Sequence, residues 1–176
     1  MSIIMVCGIP CSGKSTLMRS IIEQLGSHED CEPMPLFRCQ SHSDILIVGR
    51  YPKNETFGGT DKISYGAIPK FRDFIKQEEP KWKNILIEGD RFAREKDISW
   101  LIDTYSAHIY ILKVPLEVEK QRHIDRGDSQ SEQWLSTRRG LIKNLETNMM
   151  LMGDLLIRDT TVDNVKDEIL KELDIC

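Results

Sequence analysis

The chain has 176 residues and a formal net charge of −4, with 40% hydrophobic and 30% charged residues. Length and composition fit one globular domain, expected over 1–176, with a sizeable core, and the acidic balance argues against a large non-specific nucleic-acid surface while leaving room for a local basic groove. No apolar run is long enough to cross a membrane, and the short apolar start runs straight into a glycine loop, which is not the pattern of a signal peptide.

The spacing of β-branched and apolar residues predicts a first strand over 2–7. It leads into Gly8, Ile9, Pro10, Cys11, Ser12, Gly13, Lys14, Ser15 and Thr16, a GxxxxGKS loop that opens a helix predicted over 13–25 with Gly26 as its stop. Such a loop wraps phosphate oxygens with backbone N–H groups, and a Cβ at Gly8 or Gly13 would obstruct the wrap. The helix N-terminus adds partial positive charge. Lys14 reaches the β- and γ-phosphates, and the Ser15 hydroxyl is a ligand for Mg²⁺. The loop therefore predicts a bound nucleoside triphosphate with Mg²⁺.

The acidic, proline-bearing stretch 29–35 reads as loop and 36–40 as a short strand. His28, Cys31, Cys39 and His42 have the types and spacing of four zinc ligands. The plainer reading, a polar loop followed by a strand bearing Cys39, is the one adopted. The five cysteines form no CxxC pair and are expected to be free thiols. A strand at 44–49 is followed by an exposed glycine-rich loop over 50–60. Thr60 or Asp61 caps a helix predicted to run to about 77, with an irregularity at Pro69.

A strand over 84–88 ends on Glu88, and a turn carries Asp90 and Arg91. A helix is marked by Ile98, Leu101 and Ile102, then a strand by 108–114. Pro115 opens a helix to 125; Ser129 and Glu132 form a capping box for a long helix over 130–152 that Gly153 ends. A strand at 155–157 and a helix over 162–173 complete the chain. Strands alternating with helices predict an α/β fold, a mainly parallel five-stranded sheet covered on both faces, with a helical lid hairpin over about 118–152. Ligands in such a sheet sit at the carboxyl ends of the strands.

Phosphoryl transfer needs a phosphate cradle, a metal, positive charge on the moving group and a group that orients the acceptor. Arg122 and Arg126 share one helix face, and Arg138 and Arg139 stand on the next helix, so a hinged flap can bring arginines over a nucleotide. Ion pairing among Glu119, Asp125, Asp128, Glu132 and Glu146 is the competing use of these arginines. Of Glu88 and Asp90, one holds metal-bound water and the other takes the hydroxyl proton; the sequence leaves open which. Asp61 is either a plain N-cap or an acceptor-binding residue. No DxxG or NKxD occurs, which argues against a regulatory GTPase. A nucleotide-binding module without transfer chemistry is a third reading, disfavoured by the extra carboxylates and arginines.

Three segments taken together carry a more specific resemblance. They are Tyr51 to Ser64 with its Gly58-Gly59-Thr60-Asp61, Ile87-Glu88-Gly89-Asp90-Arg91-Phe92, and Arg126-Gly127-Asp128-Ser129-Gln130-Ser131-Glu132 with Arg138 or Arg139 beyond. The combination resembles the bacteriophage P-loop kinases of thymidine hypermodification, the 5-hydroxymethyluracil DNA kinases. The resemblance implies ATP-dependent phosphorylation of the hydroxymethyl group of a modified pyrimidine in DNA, in the cytoplasm of a bacterial host. It places Asp61, Glu88, Asp90 and Arg91 on the acceptor side and Arg122, Arg126 and Arg138 on the flap. Tyr65 departs from the pattern, which has Met there. A base in DNA must be flipped out or single-stranded to react, so Tyr51, Phe57, Tyr65, Phe71 and Phe92 are expected stackers beside Thr60. Arg50, Lys53, Lys62 and Lys70 would form a phosphate rim. The alternative acceptor is a free nucleoside, nucleotide or other small hydroxyl metabolite.

Overall fold

A computed structural model describes residues 2–52, 58–127, 130–148, 150–151 and 153–175. The strands are β1 (Ser2–Gly8), β2 (Glu29–Met34), β3 (Phe37–His42), β4 (Ile45–Val48), β5 (Asn84–Glu88), β6 (His108–Lys113) and β7 (Leu155–Asp159). The α-helices are α1 (Lys14–Leu25), α2 (Phe71–Glu78), α3 (Glu95–Tyr105), α4 (Leu116–Asp125), α5 (Glu132–Thr147) and α6 (Val165–Glu172).

The sheet has seven strands in the order β2-β3-β4-β5-β1-β6-β7, which corrects the expected five. Strands β4, β5, β1, β6 and β7 are parallel, and β2 and β3 extend the β4 edge as an antiparallel hairpin. Residues 29–35 contain two prolines and few apolar residues, so their own pattern does not announce a strand. Pairing supplies what propensity lacks: Glu29, Asp30 and Cys31 face Ser41, Gln40 and Cys39, and the register shifts between Cys31 and Met34. An edge bulge is where a strand tolerates a proline such as Pro33.

Side-chain alternation with a period of two divides the core into two layers. On β1, Ile3, Met5 and Cys7 enter one layer with Phe71, Phe74, Ile98, Leu101, Ile142 and Leu145 of the helices. Ile4 and Val6 enter the other with Met18, Ile21, Val165 and Ile169. The same alternation separates the four residues weighed as zinc ligands. Cys31 and Cys39 pack with the first layer, whereas the rings of His28 and His42 lie 5.2 Å apart and His28 meets Gln40 at 2.8 Å. Cys39 and His42 are three apart on one strand and so project from opposite faces, and the four do not converge.

Three helix expectations are revised. The predicted helix from 60 is two 3-10 turns, Thr60–Lys62 and Tyr65–Lys70, before α2. The Ser64 hydroxyl accepts from Gly66 N, and Pro69 cannot donate, so the chain winds into an α-helix only beyond it. Helix α5 ends at Thr147 rather than 152, because Leu151 N turns back to Asn148 O. Its N-cap is Ser131, which accepts from Trp134 N at 3.3 Å; the expected cap Ser129 lies outside the described residues. Helix α6 starts at Val165 behind an Asn164 cap rather than at 162.

Candidate functional site

The strand β1 lies between β5 and β6, where the order of the parallel strands reverses, and the glycine loop leaves its carboxyl end. That is where an open parallel sheet forms its ligand crevice. Gly8 is obligatory there: a Cβ would run into the Leu112 carbonyl oxygen of β6. Gly13 turns the chain into α1 at φ 95°, and the first turn of α1 holds no acidic residue, so its N–H groups and dipole are free to meet an anion. Lys14 Nζ donates to Gly8 O at 2.8 Å and Ile9 O at 3.0 Å, which holds the amine above its own loop. Burial opposes its charge, but Asp90, Glu88 and Asp61 outweigh that and raise its pKa.

A cleft of about 950 Å³ opens over this loop. It is lined by Pro10, Cys11, Ser12, Gly13, Lys14, Ser15 and Thr16, and the lid arginines Arg122, Arg126 and Arg138 line it as well. Arg122 makes the direct connection, since its Nη1 donates to Cys11 O at 2.9 Å. Helices α4 and α5 are clasped by Glu119, which is almost fully buried and accepts from Arg139 Nε at 3.0 Å, while Arg139 Nη1 donates to Glu132 at 2.7 Å. The adjacent arginines therefore divide the work. Arg139 ties α5 to α4, and Arg138 faces the cleft, 5.1 Å from the Trp134 ring centroid.

On the opposite wall stand Asp61, Lys62, Tyr65, Asp90 and Arg91. Arg91 Nη2 donates to Asp61 O at 3.0 Å, and its guanidinium lies 3.7 Å from the ring centroid of Tyr65, a residue 66% exposed. Asp61 has a raised pKa: crowding at the wall withdraws water from it and Asp90 adds like charge, against Lys14, Arg91 and Arg138. Asp90 Oδ1 is buried without a hydrogen-bond partner among the described residues.

Other expected acceptor-side residues lie behind this wall. Glu88 is fully buried beneath it, and its Oε2 accepts from Tyr51 Oη at 2.8 Å. Burial pushes the Glu88 carboxyl up to about 7, Lys14 pulling the other way. Tyr51 is not an exposed stacker: its ring packs in the second core layer, because the partner for its hydroxyl lies inside. Thr60, Phe71 and Phe92 are buried as well, and Phe71 and Phe92 stack on each other at 4.3 Å. Phe57 and Lys53 lie outside the described residues. Of the expected rim, Lys62 lines the cleft, Lys70 is exposed and Arg50 sits 3.6 Å from Asp30.

Sequence reading missed the third side of the cleft, built by Thr160, Asp163, Asn164 and Lys166 between β7 and α6. Thr160 Oγ1 donates to Ser12 O at 2.8 Å, so this loop buttresses the glycine loop. Its position past the carboxyl end of the last parallel strand was the available signal.

No protein-family model matches the chain, and no curated protein matches it in sequence. Similarity appears in three dimensions. A sugar kinase from Janibacter sp. HTCC2649 superposes with a TM-score of 0.54 at 15% identity, over 100% of this chain and 96% of that one. A gluconokinase from Sinorhizobium meliloti 1021 superposes with a TM-score of 0.50 at 17% identity, over 97% and 88%. With its glycine loop at the sheet's switch point, the chain has the fold of the P-loop kinases.

Proposed function

We propose that this chain is an ATP- and Mg²⁺-dependent kinase that phosphorylates an alcohol hydroxyl. The observation that carries the reading is the convergence on one cleft of Lys14, Arg122 and Asp90, with Arg122 bonded to the phosphate loop itself. In this reading the α1 N-terminus and Lys14 hold the β- and γ-phosphates, and Arg122, Arg126 and Arg138 add charge from the lid. Asp61 and Arg91 orient the acceptor. The hydroxyl oxygen attacks the γ-phosphorus, its proton passes to Asp90, and ADP leaves. Asp90 rather than Glu88 takes the proton, because Asp90 lines the cleft and Glu88 does not.

The donor set suits Mg²⁺. Ser15 lines the cleft, and both Asp90 Oδ1 and Glu88 Oε1 are buried oxygens without a partner among the described residues. Ser15 would hold the ion directly, and Glu88 Oε1, a buried oxygen without a partner among the described residues, would hold one of its waters while Asp90 stays the base. Its chemistry would be to offset charge on the β- and γ-phosphate oxygens.

For the acceptor, the fold neighbours, a sugar kinase and a gluconokinase, support a free small hydroxyl metabolite over a polymer. The second reading is the hydroxymethyl group of 5-hydroxymethyluracil in DNA. Two observations favour it: the three-segment motif set, and the exposed Tyr65 ring with Arg91 against it beside Asp61, a platform suited to a planar base. Labelled ATP offered with hydroxymethyluracil-containing DNA, with the free nucleoside and nucleotide, and with sugar acids separates them. Label on the DNA alone establishes the polymer reading, and label on small molecules alone overturns it. No transfer to any alcohol overturns the kinase reading.

A further inference from the structure

Glycines crowd around Tyr51. A Cβ at Gly58 would sit 2.6 Å from Tyr51 Cδ1. A Cβ at Gly59 would strike Glu88 Oε2 and lie 2.7 Å from Tyr51 Oη. A Cβ at Gly49 would strike the backbone of Gly59. Gly59 holds φ 63° and Gly49 φ 105°, conformations that side-chain-bearing residues seldom adopt. Gly59 N donates to Arg50 O at 2.9 Å, which closes the base of the loop directly beside Tyr51. The missing side chains of Gly58 and Gly59 make room for one contact, Tyr51 Oη on Glu88 Oε2 at 2.8 Å, and that of Gly49 makes room for Gly59 itself. That contact leaves Oε1 as the oxygen of Glu88 without a partner among the described residues, in a carboxylate whose charge is felt by Lys14.

We propose that Tyr51 is a positioning residue that fixes the Glu88 carboxylate through one oxygen, so that the other serves the metal side of the donor site. The Gly58-Gly59 pair of the acceptor loop is then the packing seat for that contact. This role rests on the kinase reading above and replaces stacking on substrate as the function of Tyr51. A buried carboxylate oxygen that loses its donor is left with an unmet hydrogen bond and swings toward another.

The test is Tyr51→Phe in the full chain, which keeps the buried ring. Binding of Mn²⁺ with a non-hydrolysable ATP analogue is measured by electron paramagnetic resonance, beside kcat and KM. The expected result is Mn²⁺–nucleotide affinity weakened about tenfold and kcat lowered about tenfold, the change that one charge-assisted hydrogen bond supports. The acceptor KM stays unchanged, and the near-ultraviolet circular dichroism of the folded chain is retained. In the Tyr51→Phe/Glu88→Gln double variant the affinity losses do not add. Wild-type metal affinity in folded Tyr51→Phe, additive losses in the double variant, or a rise confined to the acceptor KM would each overturn the proposal. If Tyr51→Phe fails to fold, Gly59→Ala reads the same seat, with the same loss of metal affinity expected and unchanged affinity overturning it. Should the wild type transfer phosphate to no acceptor, the kinase reading fails while the Mn²⁺ measurement still judges Tyr51.

Discussion

Asp90 and Glu88 lie two residues apart and, on sequence grounds, are interchangeable as base and metal partner. Geometry separates them, because Glu88 belongs to the last turn of strand pleat below the cleft and Asp90 to the turn above it. Asp90→Asn is therefore expected to lower turnover by about 10²–10⁴-fold while ATP affinity, measured by calorimetry, is retained. Normal turnover would remove Asp90 as the base. The backbone of the glycine loop was legible in the sequence, since Gly8 stands where a Cβ would strike Leu112 O and Gly13 where the chain takes φ 95°. Tyr51 was not: an aromatic beside a glycine loop gives no sign of whether its hydroxyl points outward or finds a buried carboxylate. Thr160 was invisible for a related reason, because its contact with Ser12 O spans most of the chain and no local pattern encodes it.

At the scale of elements, α4 and α5, the helices proposed as a lid, are clasped together. Glu119 on α4 is buried and holds Arg139 on α5, so removing the arginine leaves the carboxylate only His123 of its own helix, 3.7 Å away, and cuts the tie to α5. Arg139→Ala is expected to cost about 1–3 kcal/mol of the stability of the α4–α5 pair. Amide exchange should quicken over α4 and α5 ahead of the sheet, and the KM for ATP should rise. Uniform exchange across the chain would contradict a separately clasped lid. The parallel strands were legible from apolar runs, α4 from Pro115, and α5 from the capping pattern that ends at Glu132, although the cap is Ser131. The β2–β3 edge was not, since residues 29–34 hold their strand by pairing with β3 rather than by composition. The 3-10 turns before α2 fail the helical pattern for the opposite reason: Ile68 and Phe71 keep the spacing, and Pro69 breaks the hydrogen bonding beneath it.

For the molecule as a whole, burial of Glu88 links stability to pH. Its folded-state pKa is about 7, above the ordinary 4.5, so the folded chain binds that proton more tightly than the unfolded chain does. The contribution is fully present below about pH 4.5, is lost as pH rises through about 7, and amounts to about 3 kcal/mol. Urea denaturation of the metal-free protein at pH 5 and pH 8 should show a wild-type loss that Glu88→Gln lacks; equal slopes would mean that Glu88 is already ionised in the fold. The same fold brings an early loop and a late hairpin, more than a hundred residues apart, to one cleft. That junction is tested most directly by the rate of γ-phosphoryl transfer in Arg122→Ala at saturating ATP and Mg²⁺. A fall of about 10²-fold or more is predicted with the fold intact. Transfer at the wild-type rate would contradict the claim that loop and lid act on one triphosphate.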